Sequence, residues 1–200
     1  MKRILEQAEK INFIGSWLIS NDDLFKKIID FFENNKSLHS QGSIDNGINL
    51  KDKKTIDLSI DPIDLKNSHY QIFNLYFDEL FKCYQDYKKQ WPFINENIKK
   101  LDIPTFNVQR YLSGDHFSKI HTERSSTSTS HRVFAWMTYL NDIDENAGGC
   151  TNFHHFNLKV QPKKGKTLIW PAEWTHAHSG EILNTGKKYI ITGWLCFPFN

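Results

Sequence analysis

Apolar positions recur along the chain in two rhythms, and the rhythm changes near residue 100. Before it the spacing is helical. Leu24, Phe25, Ile28, Ile29 and Phe32 fall on one face of a helix that Asn21 or Asp22 can cap. Tyr70, Phe73, Phe77, Leu80, Phe81 and Tyr84 form a second stripe. It predicts a helix from about residue 65 to 90, stopped by Pro92. The stretch 42–62 between them is polar, with Gly42, Gly47 and a short alternating run from Thr55 to Ile60, and reads as a loop plus an edge strand.

Beyond residue 100 the period shortens to two. Segments 105–112, 132–140, 158–161, 167–170 and 189–197 are rich in β-branched and aromatic residues. Glycine-containing turns at 113–115, 148–149, 164–166 and 185–187 separate them. Short strands so punctuated, with no long helix between them, predict a closed barrel or two-sheet jelly roll. The expected fold class is α+β, with the helices packed outside the barrel. Residues 1–200 would form one domain, 1–100 as helical support and 101–200 as the β core.

Composition narrows the class. The chain is 39% hydrophobic and 14% aromatic, enough for a well-buried core. A net charge of +2 without a concentrated basic patch gives no strong signal for nucleic acid or an anionic membrane. No apolar run is long enough to span a bilayer, and the N-terminus lacks the pattern of a secretion signal. Cys83, Cys150 and Cys196 are scattered and odd in number. They suit a reducing cytoplasm and argue against a disulfide framework or a thiolate zinc site.

Candidate chemistry lies among the nine histidines. His121 and Glu123 form H-x-E, and in extended backbone residues i and i+2 project to one face, so an imidazole and a carboxylate can meet one ion. A third ligand would come from the segment 174–180, where His176 and His178 are both candidates. Two histidines and one carboxylate on one face leave open positions for an oxidant and a co-substrate, the arrangement of non-haem iron(II) oxygenases.

Further motifs follow in order along the chain. Tyr111-x-x-Gly114 leads to His121-x-Glu123, then Tyr139-Leu140-Asn141-Asp142, Gly148-Gly149-x-Thr151-x-Phe153, Pro162-x-x-Gly165, and 167–171 (TLIWP). His178, Gly186-x-Lys188-Tyr189 and Trp194 close the series. Over residues 107–197 this pattern resembles the 2-oxoglutarate/Fe(II)-dependent dioxygenases of the prolyl 4-hydroxylase-like branch, especially small phage and bacterial members. The resemblance implies a double-stranded β-helix (jelly-roll) core and the cofactor set iron(II), 2-oxoglutarate as co-substrate and O2, with ascorbate as an optional addition. It implies His121 and Glu123 as metal ligands, with Glu123 where most relatives carry Asp. It selects His178 over His176, because the family's distal histidine lies ten residues before the basic residue that holds the far carboxylate of 2-oxoglutarate, and Lys188 stands at that spacing. Tyr139 and Tyr111 would assist Lys188, and Trp194 would wall the pocket. The implied substrate is a prolyl or other residue of a peptide or protein, with a small molecule as the alternative. The polar tract 124–131 is read either as a lid beside the site or as an ordinary loop. Two rival readings remain: a cupin-like zinc or manganese protein, and a non-catalytic binding barrel.

Overall fold

The computed structural model describes residues 1–4, 11–44 and 47–198. Strands β1 (Lys2–Ile4) and β2 (Gly15–Leu18) precede helix α1 (Asp22–Asn34). Strands β3 (His39–Gln41), β4 (Lys53–Lys54) and β5 (Ile56–Ile60) then lead to α2 (Gln71–Gln90) and α3 (Pro92–Asn97). The remainder is β: β6 (Phe106–Leu112), β7 (His116–His121), β8 (Arg132–Tyr139), β9 (Thr151–Phe153), β10 (Leu158–Val160), β11 (Lys166–Pro171), β12 (His178–Gly180) and β13 (Lys187–Cys196). An eight-stranded sheet runs β1-β2-β11-β8-β13-β6-β5-β3, and a five-stranded sheet runs β10-β9-β12-β7-β4. Every pairing between these strands is antiparallel.

Period-two alternation in the long strands decides which side of the large sheet each residue serves. In β13, Tyr189, Ile191 and Leu195 join the core shared with α1 and α2, whereas Ile190 and Trp194 turn to the space between the two sheets. In β8, Phe134 and Trp136 face the helices, and Ala135, Met137 and Tyr139 face the sheet interior. The helix-side core is aromatic: Phe31 meets Phe73 edge-on at 5.0 Å, and Phe77 meets Trp136 at 5.9 Å. Phe32 and Phe73 are fully buried, each contributing about 1.5–3 kcal/mol of transfer free energy. Gly193 is required by this packing, since a Cβ there would lie 2.6 Å from the Trp136 ring.

Both predicted helices form. Asn21 caps α1 by accepting the Leu24 N–H at 3.2 Å. The second helix begins later than its apolar stripe: residues 62–66 and 68–70 are short 3-10 turns, the first opened by Pro62 with Asp61 as its cap. Pro92 ends α2 and also occupies the first turn of α3, where a missing N–H costs nothing. The chain before residue 100 is more than helical support. It supplies β1, β2, β3 and β5 to the large sheet and β4 to the small one. The alternating run at Thr55–Ile60 does form a strand, but β3 lies outside it as the edge.

Candidate active site

The two predicted histidine positions meet through strand pairing. His121 ends β7, His178 begins β12, and the two are register partners. Glu123 follows two residues after His121 and brings its Oε1 to 3.8 Å from His121 Nε2 and 3.2 Å from His178 Nε2. One ligand atom from each of the three lies within 4.8 Å of the others, a group that could hold a metal ion.

Backbone carbonyls set both imidazoles. His121 Nδ1 donates to Lys119 O at 2.9 Å, and His178 Nδ1 donates to His176 O at 2.8 Å. A carbonyl can only accept, so the hydrogen sits on Nδ1 and each Nε2 turns toward Glu123. His121 is stacked on Phe117 at 3.8 Å, and His178 presents itself to Trp170 edge-on at 5.2 Å. Burial, helped by the His178 ring, lowers the His121 pKa to about 4, which keeps it a neutral imidazole. Burial pushes Glu123 upward, but the neighbouring imidazoles and the Trp194 N–H outweigh it and bring its pKa down to about 2. A neutral imidazole and an ionised carboxylate are the forms that ligate metal.

His176 stands apart. Its Nε2 hydrogen-bonds Asn12 O at 2.7 Å and its Nδ1 hydrogen-bonds the Thr175 hydroxyl, which ties the turn before β12 to the N-terminal segment.

The triad opens into a cavity of about 720 Å³ between the sheets, lined also by Tyr111, Thr151, Lys188 and Trp194. That volume suits a small dicarboxylate together with part of a larger substrate. Lys188 is only 3% exposed. Its Nζ donates to Gly149 O at 2.8 Å and lies 4.2 Å from the Tyr111 ring centre. No described carboxylate pairs with it, and burial lowers its pKa to about 8. The carbonyl it meets belongs to a tight turn in which Gly148 and Gly149 have φ of 74° and 73°, a conformation that favours glycine. Tyr111 donates its hydroxyl to Gln109 Oε1 at 3.0 Å. Tyr139 is fully buried, its hydroxyl 2.6 Å from that of Thr151. It therefore reaches the cavity through Thr151.

Three features were not singled out in the sequence. Arg132 places its guanidinium carbon over the Trp194 ring, 3.7 Å from the centre, and donates to Glu123 O at 2.9 Å. Thr151, of the Gly148-Gly149-x-Thr151 motif, lines the cavity and meets the Tyr139 hydroxyl at 2.6 Å. Also on the lining, Asp57 accepts from Lys53 at 2.8 Å, Gln109 at 3.0 Å and Thr55 at 2.6 Å. Tract 124–131 is held by its own bonds and by an Arg124–Glu173 ion pair: Thr129 Oγ1 accepts the Ser125 and Ser126 N–H groups at 3.0 Å, and Arg124 N donates to Ala172 O at 2.9 Å.

Residues 106–196 match the family model described as 2OG-Fe(II) oxygenase superfamily. Over this stretch the chain is similar to the 2OG-Fe(II) oxygenases. The family brings with it iron(II), 2-oxoglutarate and O2. The chain also resembles solved prolyl hydroxylases in fold. A viral collagen prolyl hydroxylase from Paramecium bursaria Chlorella virus-1, in complex with 2OG, superposes with a TM-score of 0.69 at 15% identity, over 94% of this chain and 98% of that one. A Pseudomonas putida prolyl-4-hydroxylase gives 0.71 at 13% identity, over 94% and 95%. A Trichoplax adhaerens prolyl hydroxylase, in complex with a hypoxia inducible factor oxygen degradation domain peptide fragment, gives 0.70 at 14% identity, over 93% and 84%. The sequence matches no curated protein. The two sheets are thus the double-stranded β-helix of these enzymes, and among the described residues no helix is long and apolar enough to cross a membrane.

Proposed function

We propose that this protein hydroxylates a prolyl residue of a peptide or protein, with His121, Glu123 and His178 as iron ligands and Lys188 as the partner of the far carboxylate of 2-oxoglutarate. The observation that carries the reading is Lys188. A buried ammonium with no described carboxylate partner, in the same cavity as the triad, calls for an anion, and a dicarboxylate supplies one. Lys188 and the triad line one cavity, so a bifunctional acid held there has a cation for one end and the triad for the other. Tyr111 and Thr151 add hydroxyl groups on the same lining.

Iron(II) bound by the triad would supply activation of O2, coupled to decarboxylation of 2-oxoglutarate, for inserting one oxygen atom into a substrate C–H bond. The protein's part is ligation, orientation and exclusion of water. The Nδ1 carbonyl contacts fix the two rings, Phe117, Phe153 and Trp170 pack around them, and Lys188 orients the co-substrate. The peptide assignment is supported by the likeness to prolyl hydroxylases, one of which is bound to a peptide fragment.

A screen of proline-containing peptides with Fe(II), 2-oxoglutarate and air tests the assignment. The expected product gains one oxygen on a prolyl residue, with one succinate formed per event. Succinate formation coupled only to a small molecule would contradict the peptide assignment, and metal binding with no use of 2-oxoglutarate would favour a cupin-like zinc or manganese protein.

A further inference from the structure

The two oxygens of Glu123 have different partners. Oε1 faces both histidine Nε2 atoms, whereas Oε2 accepts the Trp194 indole N–H at 2.7 Å and lies 4.0 Å from Arg132 Nη1. Trp194 is in turn held. It sits on β13 opposite Ala135 of β8, and the Arg132 guanidinium covers its ring at 3.7 Å. Arg132 also binds the Glu123 carbonyl, and the adjoining Arg124 N–H and Thr122 hydroxyl are tied to Ala172 O. Backbone and side chain of Glu123 are therefore both fixed, and its rotation is opposed by a neutral donor on a rigid strand.

We propose that Trp194 is a positioning residue that reserves Glu123 as a one-oxygen ligand and so keeps room at the metal for 2-oxoglutarate; this rests on the triad reading above. Glutamate needs such a device more than aspartate does. Its extra methylene gives a carboxylate two heavy atoms beyond Cβ an additional rotatable bond, so Oε2 can swing beside Oε1 toward the histidines. Either carboxylate oxygen can ligate an ion, and carboxylates ligate hard cations through one oxygen or two. The indole N–H removes that second option by engaging Oε2 with a charge-assisted hydrogen bond. Outer contacts of this kind orient metal ligands and are worth about 10–100-fold in affinity or activity. Releasing Oε2 would not weaken the hold on the metal. It would place a second oxygen where the co-substrate must enter.

The test compares wild type with Trp194→Phe, which keeps an aromatic wall and deletes the N–H. Metal affinity is measured by titration with Co(II) or Fe(II), and co-substrate affinity by anaerobic titration of 2-oxoglutarate into the metal-loaded protein, read from its visible absorption. The expected result is metal affinity retained, because both Glu123 oxygens stay available to the ion, and 2-oxoglutarate affinity weakened about tenfold, the low end of what such outer contacts are worth. Unchanged 2-oxoglutarate affinity in Trp194→Phe would overturn the proposal, as would parallel loss of metal and co-substrate. Should Trp194→Phe fail to fold, Arg132→Met, which uncovers the indole, should shift the same ratio in the same direction, and an unshifted ratio would overturn the proposal. A wild type that binds no metal would instead bring down the triad reading itself.

Discussion

Lys188 and Tyr111 are register partners on β13 and β6, and the Lys188 ammonium sits 4.2 Å from the centre of the Tyr111 ring. The pair puts a desolvated charge against an aromatic face inside the cavity, where a ring quadrupole offsets only part of the cost of burial. Replacing Lys188 by Met should weaken 2-oxoglutarate binding by about 1.5–3 kcal/mol, roughly 10–150-fold, the worth of a hydrogen bond to a charged group. Calorimetric titration of the metal-loaded variant measures this, with metal affinity unchanged.

The same lysine carries a pH dependence. Burial lowers its pKa to about 8, against an ordinary value of 10.5. The ammonium, which pairs with a carboxylate, is the main form below pH 8, so 2-oxoglutarate affinity should be flat below that point and fall as pH rises through it. Lys188→Arg keeps its charge throughout and should abolish the decline. For folding the sign is opposite: the native state binds fewer protons than the unfolded chain between the two pKa values, so Lys188 makes stability rise with pH across that window.

His178 and His176 should separate cleanly. His178→Ala removes a candidate ligand and should weaken metal binding by at least about 100-fold, beyond what loss of an outer contact gives. His176 bonds Asn12 O and the Thr175 hydroxyl instead, so His176→Ala should keep the metal and lose about 1 kcal/mol of stability from those hydrogen bonds. Metal titration and chemical denaturation distinguish the two.

Glu33 ties helix to sheet behind the site. It accepts from Arg110 Nη1 at 2.9 Å and from the Tyr189 hydroxyl at 2.7 Å. Burial opposes its ionisation, but these two hydrogen bonds and the Arg110 charge win and lower its pKa below 4.5. A depressed carboxylate contributes stability above its unfolded pKa and loses it as pH falls through the folded value. Glu33→Gln should therefore destabilise by about 1–2 kcal/mol at pH 7, with the difference from wild type shrinking below pH 4.5. Urea denaturation at the two pH values checks this.

Much of the fold was legible because some faces are strongly apolar. The α1 and α2 stripes and the β8 and β13 runs reveal themselves through buried side chains such as Phe32, Phe73, Trp136 and Ile191. By contrast β7 and β12, the strands that bring the histidines together, are short and carry polar residues such as Ser118, Lys119 and Ser179. Their identity comes from pairing partners, which a local pattern does not contain. The N-terminal strands were hidden likewise, since β2 joins the sheet through β11, far along the chain. His121 and Glu123 were visible as a motif, but selecting His178 required the family's spacing to Lys188. The Trp194–Glu123 hydrogen bond spans 71 positions, so its chemistry appears only once β13 is folded beside the loop after β7.

Succinate formed per chain, with Fe(II), 2-oxoglutarate and O2 supplied and the peptide pool as substrate, tests the central claim most directly. Wild type should form succinate together with hydroxylated peptide, and His178→Ala and Lys188→Met should form little of either. Succinate formation by His178→Ala at the wild-type rate, or none by wild type with iron bound, would contradict the assignment of this triad and its lysine to 2-oxoglutarate chemistry.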